Sequence, residues 1–131
     1  MRRCITLIAL LGVAGPAAAV GLGPLTKEGF TDGPAKAFYL TVINPYPRAE
    51  RFNLSALQLN GEVAEARVTI FPSPVTVGGK GTRRVLVIAR DLAPGETHTF
   101  RVCAERAPLP QETIHARVCS KLAARRLGAG R

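Results

Sequence analysis

The chain has 131 residues, with 18 Lys and Arg against 9 Asp and Glu, a net charge of +9 and no Trp. That length leaves room for one domain. The basic balance raises nucleic acid or an anionic surface as a partner, but aromatic residues make up only 5% of the chain.

The first elements describe a secretory leader. Arg2 and Arg3 give a positive start, Ile5 to Val13 is apolar, and Ala17-Ala18-Ala19 offers the small side chains a signal peptidase requires. An apolar run of about ten residues falls short of the ~20 needed to cross a bilayer as a helix. Gly12, Gly15 and Pro16 oppose a continuous helix as well. The expectation is a signal peptide over 1–19, cleaved after Ala19, and a periplasmic or secreted mature chain without stable membrane insertion. Export argues against a nucleic-acid partner. Cys4 leaves with the leader, so Cys103 and Cys119 remain as an even pair in an oxidising compartment and read as one disulfide.

From Val20 onward, turn signals recur about every ten residues between β-branched and aromatic runs, the pattern of a sandwich or barrel. A short extended segment near Leu22 to Lys27 comes first, and Thr31-Asp32-Gly33-Pro34 turns the chain. Lys36 to Asn44 is dense in strand formers and is stopped by Pro45 and Pro47. Arg51 to Leu59 alternates through Phe52, Leu54 and Ala56, then slips phase to Leu57 and Leu59, which predicts a bulge. Asn60-Gly61 is a strong hairpin turn.

Val63 to Phe71 resumes with Val68 and Ile70 inward, Pro72-Ser73-Pro74 breaks it, and Val75 to Val77 is a short extended link. Arg83 to Arg90 carries five consecutive apolar residues and reads as a strand covered on both sides or as one end of a central strand. Thr97 to Ala104 follows the turn at Pro94-Gly95, and Thr113 to Leu122 is the expected last strand. Ser120 to Leu127 is the one place where a short helical turn could compete. The fold class is therefore all-β: a single sandwich of about seven strands over 20–127, with a disordered tail at 128–131.

Side-chain alternation places the bridge. Thr97, Thr99, Arg101 and Cys103 share one face, opposite His98, Phe100 and Val102; His115, Arg117, Cys119 and Lys121 share the other strand's polar face, opposite Ile114, Ala116 and Val118. If the two strands are antiparallel neighbours, Cys103 meets Cys119, Arg101 meets Lys121 and Glu105 meets Arg117. The bridge then lies on the outside of one sheet and does not cross the core. Closing a loop of about 15 residues is worth about 3 kcal/mol in the chain-entropy model.

No catalytic set emerges. His98 and His115 lack partners at metal-ligand spacing. Gly78 to Gly81 lacks the spacing and context of a phosphate loop, and Glu62 with Glu65, or Asp91 with Glu96, has no feature to split their pKa values. No enzyme, cofactor or metal is expected.

The order of motifs resembles a known family. Phe71-Pro72-Ser73-Pro74-Val75, a glycine loop and Arg84-Val85-Leu86-Val87, then Leu92 to Thr97 (LAPGET) followed by Pro108 and Pro110, are similar to stretches of the PapD-like periplasmic pilus-assembly chaperones. Ile114 to Arg125 (IHARVCSKLAAR) resembles the last strand of that family's N-terminal domain without a gap, and Asn44 matches the end of its second strand. The resemblance implies an immunoglobulin-like N-terminal sandwich, a pilin-like or envelope subunit as protein partner, and a role in assembling surface structures such as fimbriae. It implies that the last strand lends its backbone and its alternate residues Ile114, Ala116 and Val118 to an incomplete subunit. Lys121, with Lys27 on the first strand, falls where the family anchors the subunit's terminal carboxylate. The family carries a second sandwich after this one, and none is expected within these 131 residues. The alternative reading is a structural or adhesive immunoglobulin-like envelope or fibre component without chaperone activity.

Overall fold

The computed structural model describes residues 20–110 and 116–128. Residues 1–19, where the leader is expected, Ile114, His115 and the last three residues of the tail lie outside them. The described chain has no helix and nine strands: β1 Gly21–Gly23, β2 Thr26–Thr31, β3 Lys36–Ile43, β4 Glu50–Gln58, β5 Val68–Phe71, β6 Val75–Val77, β7 Thr82–Ala89, β8 Thr97–Arg106 and β9 Arg117–Arg126. They form two sheets, one of order β1-β3-β7-β5 and one of order β2-β9-β8-β4-β6. Every pairing is antiparallel except β2 with β9.

Alternation builds the core between the sheets. Phe38, Leu40 and Val42 of β3 and Val85, Val87 and Ala89 of β7 face Phe52 and Leu54 of β4, Phe100 and Val102 of β8, and Leu122 and Ala124 of β9, all buried. Phe38 and Phe100 meet edge to face across the two layers, with centroids 6.4 Å apart. The apolar run in β7 belongs to a strand central in its sheet: Val85, Val87 and Ala89 are buried inward, whereas Leu86 and Ile88 are half-buried on the outer face.

Proline sets where the chain changes sheets. The first extended segment divides at Pro24: β1 pairs with β3 in one sheet and β2 with β9 in the other. A residue without an N–H cannot continue a ladder, so the switch falls there. Pro72 and Pro74 do the same between β5 and β6. Phe71 pairs with Leu86, and four residues later Val75 pairs with Phe52 of the opposite sheet. Ser73 covers the gap, its hydroxyl donating to the Leu54 carbonyl at 2.9 Å and accepting from the Leu54 N–H at 3.3 Å. Counting the split first segment and the paired Val75–Val77 link brings the strands to nine.

Three local expectations are corrected. The bulge in β4 is absent, since Phe52 to Gln58 pair one to one with Arg106 to Phe100. The phase slip arises because Leu57 is buried on the outer face, beside Arg101, whose guanidinium reaches the Gln58 and Gly61 carbonyls of the following hairpin. The last strand extends to Arg126, four residues past the expected end at Leu122. A helical turn after Ser120 is likewise excluded, because β2 pairs with Lys121 to Arg126 and Leu122 and Ala124 alternate into the core. Tertiary pairing overrides the local preference there.

Asn44 ties the loops at one end. Its amide donates to the carbonyls of Arg48, Val77 and Gly78 at 2.9, 3.0 and 3.1 Å, and its side-chain oxygen accepts from Tyr46 N–H at 2.9 Å. Being 1% exposed, it satisfies backbone groups that water cannot reach. At the other end Arg67 clamps the β4–β5 and β7–β8 connections, donating to both oxygens of Glu96 at 2.9 and 2.8 Å and to the Asp91 carbonyl at 2.7 Å.

The Arg67 guanidinium, with a further hydrogen bond from the Ala93 N–H, holds the Glu96 carboxyl down at about 2 against an ordinary 4.5. A depressed carboxylate contributes stability above its unfolded pKa and loses it as pH falls toward the folded value. Acidification from about pH 4.5 to 2 should therefore lower the urea midpoint. In Glu96→Gln that part of the slope should be absent. An unchanged acid slope in the variant would remove the clamp from the account.

Candidate functional site: the open half of the last strand

The feature that sets β9 apart is its unequal pairing. On one side β8 pairs with it along all but its last residue, from Glu105–Arg117 to Thr97–Arg125. On the other side β2 begins only at Thr26–Lys121. Arg117 to Ser120 thus form an open sheet edge among the described residues, and Lys121 to Arg126 lie inside the sheet. The boundary is sharp: Lys121 N–H donates to the Leu25 carbonyl and the Ser120 hydroxyl to the Pro24 carbonyl, both at 2.8 Å.

Parity decides which backbone groups the edge presents. In an antiparallel ladder the N–H and C=O of successive residues point alternately to the two neighbouring strands. Lys121 N–H points to the β2 side, so Cys119 and Arg117, two and four residues earlier, point their N–H groups the same way. These two residues offer unpaired donors and acceptors at the open edge. Val118 and Ser120 spend theirs on β8.

The sequence-predicted residues fall around this edge as follows. Val118 is half-buried and packs on the core, opposite Ala104. Ala116 is exposed immediately before β9. Ile114 lies outside the described residues. Lys121, on the outer face, borders one shallow depression of about 280 Å³ with Thr26, Glu28, Thr97 and Thr99. Lys27 also borders it, but its register partner is the inward-facing Leu122, so parity turns its side chain to the opposite face of the sheet. A third cation in this depression, Arg125, is paired with Glu28 at 2.9 Å. Among the described residues neither lysine ammonium has a carboxylate partner, so the depression carries uncompensated positive charge where the open edge ends.

Cys103 and Cys119 are bonded, with Cα atoms 4.0 Å apart, and sit directly opposite each other in the β8–β9 register. The bridge is on the outer face of the five-stranded sheet, on the side away from Phe100 and Val102, and Cys103 is buried there. It fastens the open half of β9 to the strand behind it. Arg101 opposes Lys121 and Glu105 opposes Arg117, as parity requires.

Two contacts carried no sequence signal. Glu62, in the β4–β5 hairpin, accepts two hydrogen bonds from Arg117 at 2.7 and 2.9 Å across a separation of 55 residues. That guanidinium lowers the Glu62 carboxyl pKa below its ordinary value. The second is His98, which stacks on Phe100 with centroids 5.5 Å apart and has Nε2 3.3 Å from Glu65 Oε2. No group of three or more metal-ligating side chains occurs among the described residues.

No protein-family model matches the sequence, and no curated protein matches it. Solved structures do. The Escherichia coli chaperone DraB superposes with a TM-score of 0.67 at 16% identity, covering 87% of this chain and 58% of its own. The periplasmic chaperone SfaE gives 0.68 at 19% identity, with 84% and 59% covered. A structure of the Salmonella enterica SafA pilin with the SafB chaperone gives 0.68 at 18% identity, with 86% and 57% covered. By their names these are chaperones, not enzymes, and this chain spans less than three fifths of each. A PapD-like domain of human CEP192 matches along 99% of this chain and 100% of its own at 12% identity and a TM-score of 0.67. The nine strands therefore have the immunoglobulin-like fold of the N-terminal domain of the PapD-like pilus chaperones.

Proposed function

We propose that this protein is a periplasmic or secreted module that binds another protein by strand pairing at the open half of β9, assisting the assembly of surface structures. The observation that carries the reading is the one-sided pairing of Arg117 to Ser120. An extended segment added there gains main-chain hydrogen bonds from Arg117 and Cys119, while Ala116 and Val118 supply apolar side chains at alternate positions. Ile114 extends the same alternation in sequence. The ladder stops at Leu25, where Lys121 and Lys27 wait. A guest strand ending in a carboxylate fits that stop, and the pairing then runs parallel to β9. Point cations suit a group that must later be released. The partner of this reading is a pilin-like or envelope subunit.

The backbone parity gives a direct test. Arg117→Pro removes an N–H offered to the partner and leaves the β8 ladder intact, a position where an edge strand tolerates proline. Arg117→Ala controls for the lost Glu62 pair. Co-expression with pilin-like subunits and isolation from the periplasm should recover a complex with Arg117→Ala and about tenfold less with Arg117→Pro, at similar melting temperatures. Equal recovery by the two variants, or an uncomplexed wild-type protein beside every such subunit, would refute strand pairing.

A further inference from the structure

The four-stranded sheet turns a second, unlike face to solvent. None of its strands contains Asp or Glu; their sequences are GLG, KAFYLTVI, VTIF and TRRVLVIA. The acidic residues of the described chain all lie in connections or in the five-stranded sheet. On the outer face the register places Phe71, Leu86 and Tyr39 side by side across β5, β7 and β3, with Ile88 in the next row. Phe71 is 71% exposed and Tyr39 54%. The Arg84 guanidinium lies over the Tyr39 ring, 5.2 Å from its centroid.

We infer that this face docks reversibly on an anionic phospholipid surface. The argument rests on size and charge. Three strands at ~4.8 Å spacing and two residue repeats along them make a patch of roughly 200 Å², against the ~800 Å² per partner of a stable protein interface. A bilayer needs no shape complement. Phe71 and Leu86 enter the acyl boundary, Tyr39 keeps its hydroxyl at headgroup depth, and Arg84 pairs with lipid phosphate. Apolar insertion and electrostatic attraction together give binding that neither supplies alone. The face without carboxylates is the one that can approach negative headgroups without repulsion. Docked in this way, the protein keeps β9 and its open edge on the sheet turned away from the membrane, so this inference stands apart from the strand-pairing proposal.

Because the chain has no Trp, Phe71→Trp puts a single reporter in the patch, and Val63→Trp puts one on the β4–β5 hairpin, at a residue 54% exposed. Each full-length variant is mixed with vesicles of phosphatidylcholine and phosphatidylglycerol carrying brominated acyl chains. Quenching and a blue shift are expected for Phe71→Trp and not for Val63→Trp. Adding Arg84→Glu to Phe71→Trp should weaken vesicle affinity about tenfold and abolish the preference over phosphatidylcholine alone. Tyr39→Trp repeats the measurement if Phe71→Trp fails to fold. No quenching at the patch, or equal quenching at both reporters, overturns the inference. So does a concentration-dependent blue shift without lipid, which would assign the face to a second copy.

Discussion

Lys121→Glu is expected to lower capture of a pilin-like subunit at least about tenfold while leaving the protein as stable as before, or more so. The two halves of that result have separate causes. Lys121 stands directly opposite Arg101 in the β8–β9 ladder, and like charges at such a pair are unfavourable. Reversing one of them creates an attractive pair worth about 0.2–1 kcal/mol. A sequence selected for stability alone would not keep lysine there. Its value on the proposed reading is to the guest, whose terminal carboxylate meets Lys121 and Lys27 where β2 closes the edge. Capture measured by co-isolation and stability measured by urea unfolding should move in opposite directions. A variant that binds normally, or one that loses capture only because it unfolds, would show that the lysine has no anchoring role.

The second large effect concerns the bridge. Replacing Cys103 and Cys119 by Ala together should lower the unfolding free energy by about 3 kcal/mol, read from the urea midpoint. The loss should be greater for capture than for the remainder of the fold, because the bridge holds the open half of β9 where only one neighbouring strand supports it. Hydrogen exchange reports this locally, with the amides of Val118 and Ser120 losing more protection than those of β3 and β7. Uniform loss across both sheets would make the bridge a global staple only.

How much of this was legible in the sequence depends on distance along the chain. The disulfide register could be read because two alternating strands with one cysteine each admit a single parity. The core face of β8 follows from the same alternation, whereas the unbroken apolar run of β7 left its core face open. The end point of β9 could not be read, since it is fixed by β2 at the far end of the chain, which pairs with residues whose local preference was ambiguous. The same holds for Glu62 with Arg117 and Arg67 with Glu96, pairs set 55 and 29 residues apart by the crossing of the β4–β5 connection. In β4 the local pattern misled, because a residue buried from outside imitates a bulge. Lys27 was placed by resemblance alone, and Lys121 by both resemblance and parity. The parallel β2–β9 register sets the two one residue apart along the ladder, at the rim of one depression but on opposite faces of the sheet.

The parallel pairing of β2 with β9 has a further consequence for how the molecule comes into being. β2, the second strand, and β9, the last strand described, are neighbours, and β9 stands between β2 and β8. A chain emerging from the ribosome holds β2 without its partner until Arg126 has been synthesised. Contacts of such long separation form late and slowly. The five-stranded sheet consequently cannot close at β2 until its last strand arrives, whereas the four-stranded sheet, which holds neither, can pair before then.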